Sequence, residues 1–129
     1  MQNASPTTSF KFTGRLRSFV HAGHGIVMIL RSQHNAWVHA AATGGAIIAG
    51  ILCGLTRIEW CGIMLAITVV WMAEALNTAF EFLCDVASPE FHPVVKQAKD
   101  VAAGAVLISA IGAVAIGTLV FGPRLIGTV

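Results

Sequence analysis

Residues 61–85 read CGIMLAITVVWMAEALNTAFEFLCD. The first thirteen, from Cys61 to Ala73, make an apolar run that belongs in hydrocarbon, and the remainder carries Glu74, Asn77, Glu81 and Asp85. These four are separated by three, four and four positions. At about 100° per residue they fall within an arc of roughly 80° on one face of a helix. An apolar helix that ends in a one-sided polar ladder predicts a membrane span whose upper turns face something other than lipid. A charge at the bilayer centre costs at least about 2.5–3.5 kcal/mol, so these carboxylates need a partner, a proton or a metal. The ladder climbs roughly 16 Å at about 1.5 Å per residue. Glu74, at its lower end, is within reach of a lipid head group, and Asp85, at its upper end, is within reach of a water-soluble substrate.

Working outward, residues 35–55, NAWVHAAATGGAIIAGILCGL, are long enough to form a first span, which needs about 20 residues. TRIEW (56–60) reads as a short polar turn with Trp60 at an interface level, which leaves a second span over 61–86. SPEFHP (88–93) breaks the helix with Pro89 and Pro93, and a third span follows over 99–121, ended by GPRLIGTV. Small residues recur along that last segment, among them Ala102, Gly104, Ala110, Gly112 and Gly117. Small surfaces let helix backbones approach closely in lipid, so tight packing and oligomerisation are predicted. Residues 12–32 place Leu16, Phe19, Val20, Gly23, Ile26, Val27 and Leu30 at spacings of three and four, with Arg15, Arg17, His21 and His24 elsewhere. That is the pattern of an amphipathic helix lying in the membrane interface. Residues 1–11 are polar and expected to be disordered.

Composition agrees with that solvent. Hydrophobic residues make up 56% of the 129, charged residues 11%, and the mean hydropathy is +0.77, far from the mix of a water-soluble domain. The fold class expected is all-α: a single integral-membrane domain with a surface helix and three transmembrane helices. A formal charge of +2, with no Lys and Arg run interleaved with aromatics, argues against a nucleic-acid partner. The first thirty residues lack an uninterrupted apolar region and are not expected to be a signal peptide. Cys53, Cys61 and Cys84 show no CxxC spacing and read as small hydrophobes. His21, His24, His34 and His39 lie on separate turns without an accompanying carboxylate set, so no histidine metal site is expected. Lys11, Arg15, Arg17, Arg31, Lys96 and Lys99 would share one side of the membrane, leaving Arg57 and Arg124 on the other. That bias places the N-terminus and the 88–93 loop in the cytoplasm of a bacterium, beneath its inner membrane.

A short hairpin between the second and third spans would bring Lys96, Lys99 and Asp100 to the level of Glu81 and Asp85. Carboxylates and lysines gathered at one membrane surface suit a metal ion and a polyphosphate, because Mg²⁺ takes a few carboxylates and lets phosphate oxygens complete its shell.

EALNTAFEFLCD (74–85) followed by AKDVAAGAVLI (98–108) resembles the paired signature of the small prokaryotic diacylglycerol kinases and their undecaprenol kinase relatives. The likeness extends from SFVHAGHGI through HNAWVHA and SPEFHPVVKQAKD to the last span. It implies a homotrimer with active sites shared between protomers, transferring the ATP γ-phosphate to the hydroxyl of a membrane lipid, diacylglycerol or undecaprenol. By the same resemblance Glu74 is the general base, Asn77 orients the site, and Glu81 is a ligand of Mg²⁺. Asp85, Lys99 and Asp100 lie near the nucleotide, Glu90 and His92 belong to a loop that covers it, and Arg15, Arg17 and His21 add phosphate contacts from the surface helix. No GxxxxGK[ST] loop and no HRD or DFG set is present. One position departs from the family: Gln33 stands where a second metal-binding glutamate is usual. A carboxamide oxygen can ligate Mg²⁺ but adds no charge. That leaves a weaker metal site, compensation by a neighbour such as Glu90, or a divergent protein that binds at the membrane without catalysis.

Overall fold

The computed structural model describes residues 12–32 and 34–127. They form four α-helices: α1 (Phe12–Ser32), α2 (His34–Cys53), α3 (Arg57–Ala87) and α4 (Pro93–Leu125). Among the described residues there is no strand. Helices α2, α3 and α4 are each long and apolar enough to cross a membrane. At about 1.5 Å per residue α3, with 31 residues, measures about 46 Å. A hydrocarbon core of about 30 Å leaves some of its turns outside. Large apolar side chains such as Ile51, Leu65, Ile108 and Leu119 are exposed, the arrangement of helices whose solvent is lipid.

The α2–α3 corner has a clear local cause. Gly54 adopts φ +63°. Its N–H donates to the Ile51 carbonyl at 3.2 Å, and the Leu55 N–H donates to the Gly50 carbonyl at 3.1 Å, the paired bonds of a Schellman cap. The indole of Trp60 packs over Gly50, where a Cβ would come within 2.7 Å of it. Thr56 then caps α3: its hydroxyl accepts from the Glu59 N–H at 3.4 Å, and its own N–H donates to the Glu59 carboxylate at 2.8 Å. This capping box makes Arg57–Trp60 the first turn of α3 rather than a polar loop, so the second span starts four residues before the expected Cys61. A left-handed residue with a Cβ costs about 1–2 kcal/mol. Gly54→Ala is therefore expected to lower stability by about that amount, read as a fall in the thermal midpoint in detergent without loss of helical circular dichroism.

The third span also starts earlier than expected. Pro93 occupies its first turn, where a missing N–H costs nothing, and the His92 side chain accepts from the Val94 N–H at 3.3 Å. The 88–93 break is thus confined to Ser88–His92, and α4 continues past Phe121 through Pro123 to Leu125.

The helices α3 and α4 pair as a long hairpin, with α2 set against α3 and α1 touching α2 and α3. The buried positions of α3 are Ile63, Ala66, Val70, Glu74, Asn77, Thr78 and Cys84. From Ile63 to Asn77 they recur at intervals of three and four, so the polar ladder continues the helix's own packing seam. At the opposite end of the hairpin the Arg124 guanidinium donates to both oxygens of Glu59, at 2.6 and 2.9 Å. Helix α4 has no buried residue.

Candidate active site

Glu74 is 1% exposed, and that burial comes from its place on the α3 seam. One of its oxygens, Oε2, has no hydrogen-bond partner among the described residues. One turn further, Asn77 is buried and donates from Nδ2 to Oε1 of Glu81 at 3.1 Å. The Asn77 Oδ1 is also without a hydrogen bond. The Thr78 hydroxyl donates to the Glu74 carbonyl at 2.9 Å, which ties this turn together. Buried polar atoms in native proteins are normally satisfied. Two oxygens left open on adjacent turns mark a place prepared for another molecule.

Glu74 and Asn77 both line a cleft of about 300 Å³ between α2, α3 and α4. Glu74, Asn77 and Glu81 line one wall, Asn35 and His39 of α2 a second, and Ala103 and Leu107 of α4 a third. The small alanine of α4 leaves the volume that a larger side chain would fill. A second cleft of about 320 Å³ shares Val38, His39 and Ala110 with the first and, Thr43 apart, has an apolar lining that includes Ala66, Val70 and Gly117. A polar chamber thus borders an apolar one, with His39 at their junction.

None of the other described residues singled out in the sequence for the site lines this cleft. Lys99 reaches across the hairpin to Asp85, Nζ to Oδ1 2.6 Å, joining the top of the ladder to α4. Asp100 pairs with Lys96 on its own helix at 2.6 Å, on an exposed face. Glu90 lies in the short α3–α4 connection, where its carbonyl accepts from the Ser88 hydroxyl at 3.0 Å, and His92 caps α4. Arg15, Arg17 and His21 are exposed on α1. Gln33 lies outside the described residues, as does Lys11.

Among the described residues no group of three or more His, Cys, Asp or Glu side chains is arranged to hold a metal by itself. The donors present are nevertheless of the right kind for a hard cation: Glu81, with its carboxylate, and Asn77, with a buried oxygen that makes no hydrogen bond among the described residues, line the same cleft. Such a set suits Mg²⁺, which takes one or two protein carboxylates and fills its shell with water and substrate phosphate.

The sequence reading weighed His39 only as a metal ligand and gave no role to Thr43 or Trp71. His39 Nε2 lies 3.6 Å from Glu74 Oε2. Its ring meets Trp71 edge-on at 6.5 Å between centroids, and Trp71 Nε1 donates to the Thr43 hydroxyl at 3.0 Å. A signal was available: Asn35, His39 and Thr43 recur every four residues along an otherwise apolar span, and a polar residue inside a membrane helix is functional by default.

A family model described as prokaryotic diacylglycerol kinase matches residues 20–121, which takes in every residue lining the polar cleft. The chain is 45% identical over 109 residues to undecaprenol kinase of Bacillus subtilis, covering 84% of this chain and 89% of that one. It is 36% identical over 112 residues to diacylglycerol kinase of Synechocystis sp., covering 86% and 64% respectively. With diacylglycerol kinase of Helicobacter pylori it shares 30% identity over 83 residues, covering 59% and 65%. It therefore spans most of the first relative and just under two thirds of the other two.

Proposed function

Because the chain belongs to the prokaryotic diacylglycerol kinase family, we propose that it is a lipid kinase that transfers the γ-phosphate of ATP to the hydroxyl of a membrane lipid. The observation that carries this reading is the Glu74 carboxylate, buried in the wall of the polar cleft with one oxygen lacking a hydrogen bond among the described residues, 3.6 Å from His39, which borders both clefts. A lipid alcohol would lie across that border, with part of its chain in the apolar cleft and its hydroxyl directed to Glu74. Among lipid alcohols we favour undecaprenol, since the relative that bears that name is matched over more of its length and at higher identity than those named for diacylglycerol. The divergent, non-catalytic alternative is not favoured by these likenesses.

In the proposed step the lipid oxygen forms a bond to the γ-phosphorus as the bond to the bridging oxygen of ADP breaks. The hydroxyl proton passes to Glu74, the general base. Asn77 orients this turn through its bond to Glu81. Glu81, with the Gln33 carboxamide, would hold Mg²⁺, which when bound neutralises and orients the donor phosphates. Lys99, with Asp85, stands where the nucleotide's charge would arrive, and a lysine there stabilises the transferring phosphate. Asp100, Glu90 and His92 would add contacts to the nucleotide from α4 and the α3–α4 connection, and Arg15, Arg17 and His21 would add contacts from a surface helix lying in the interface. The N-terminus and the Ser88–His92 connection face the cytoplasm of the bacterial inner membrane, in keeping with the basic residues clustered at that end. The chain assembles as a homotrimer. Support for assembly comes from α4, whose small-residue surface is left without buried positions by its own protomer.

The test is transfer of label from γ-labelled ATP in mixed micelles, with diacylglycerol and undecaprenol side by side and with or without Mg²⁺. Mg²⁺-dependent label in undecaprenol above that in diacylglycerol is the expected result. Label in neither lipid would reject the kinase reading.

A further inference from the structure

We propose that His39 is a positioning residue for the Glu74 carboxylate, held on its mark by Trp71 and Thr43. This rests on the reading of Glu74 as the group that accepts the lipid proton. A carboxylate on a flexible side chain has three torsions to settle before it can serve as a base. Glu74 has its backbone carbonyl tied by Thr78, but Oε2 has no hydrogen bond among the described residues, and the cleft beside it leaves room to swing. The group facing that oxygen from α2 is His39, with Nε2 at 3.6 Å. That separation is longer than a hydrogen bond and shorter than would admit an intervening water.

Three observations make His39 more than a neighbour. Its side chain is 15% exposed, so it sits inside the protein rather than at the lipid face. The edge of Trp71 fixes the imidazole plane at 67° to the indole. Trp71 is itself anchored to Thr43, one turn along α2 from His39. Histidine, tryptophan and threonine thus form a closed brace across α2 and α3 that ends on the carboxylate. With the proton on Nε2, a small approach of α2 to α3 as substrate fills the cleft makes a direct N–H donation to Oε2. That bond leaves the second lone pair of Oε2 for the lipid proton and selects one rotamer of Glu74.

Glutamine can present an N–H donor at much the same reach as Nε2, and alanine cannot. His39→Ala is expected to lower kcat about tenfold to a hundredfold, the range for loss of an orienting contact, with KM for the lipid little changed. His39→Gln is expected to stay within a few-fold of wild type. Trp71→Phe, which keeps an aromatic ring but removes the indole N–H that bonds Thr43, should fall between them. A readout that does not depend on turnover is the infrared carboxylate band that disappears in Glu74→Gln. It should shift in His39→Ala and return in His39→Gln. Full kcat in His39→Ala, an unmoved band, or a His39→Gln variant as slow as His39→Ala would each overturn the proposal. Failure of the wild type to phosphorylate any lipid alcohol, with the band still shifting, would remove the kinase reading and leave the His39–Glu74 contact standing.

Discussion

Glu74→Gln is expected to lower lipid phosphorylation by about 10²- to 10⁴-fold, the usual worth of a positioned general base, while leaving the protein at least as stable as wild type. The two halves of this outcome have one cause. Glu74 is buried at 1% exposure, and Oε2 makes no hydrogen bond among the described residues. A carboxylate kept there is a cost to folding, because burying charge without full pairing is unfavourable. Glutamine has nearly the same shape and removes the charge. The Thr78 hydroxyl still bonds the backbone carbonyl of residue 74, and the α3 seam above and below is unchanged. A site that gives up stability for reactivity should regain stability when the reactive group is removed. Thermal unfolding in detergent and label transfer in mixed micelles, measured on the same preparation, check both halves. Turnover within about tenfold of wild type would show that the hydroxyl proton goes elsewhere.

Glu81→Ala is expected to cost at least about 100-fold in kcat/KM at fixed Mg²⁺, since loss of even an outer partner of a metal ligand costs about 10- to 100-fold. Glu81 accepts the Asn77 amide at 3.1 Å and faces the cleft at the level above Glu74. Removing it takes away the anionic oxygen proposed for the cation and releases Asn77, so added Mg²⁺ should restore only part of the activity. Gln33→Glu moves the same quantity in the other direction. A carboxylate in place of the carboxamide adds one negative charge to the metal's surroundings, so half-maximal rate should be reached at lower Mg²⁺. Titrating Mg²⁺ at saturating ATP for wild type and both variants separates these effects. An unchanged Mg²⁺ requirement in Glu81→Ala would place the metal elsewhere.

Much of the site was visible as spacing. Glu74, Asn77, Glu81 and Asp85 share a helix face, and its lower half, Glu74 and Asn77, lies on the seam that α3 buries, while Glu81 is half-buried and Asp85 exposed. The helix ends were less legible. TRIEW has the polarity of a turn, yet Thr56 and Glu59 stand three apart, as a capping box requires, and their mutual bonds pull Arg57–Trp60 into the helix. Pro93 reads as a breaker when it is counted with Pro89, but at the first turn of α4 it is an initiator. In both places a local cap outweighed composition. Asp100 shows a different limit: by level it belongs with Glu81 and Asp85, and it instead pairs with Lys96 one turn earlier on its own helix.

The solvent, the number of helices and the polar face of α3 are legible along the chain, since hydropathy and a period of 3.6 residues are local quantities. Only the tertiary structure decided which groups meet: His39 against Glu74, Lys99 against Asp85, and Trp71 against Thr43. Those meetings depend on the rotation and vertical register of one helix against the next. Both are set by the summed packing of many small side chains across the seams, and no single stretch of the chain encodes that sum.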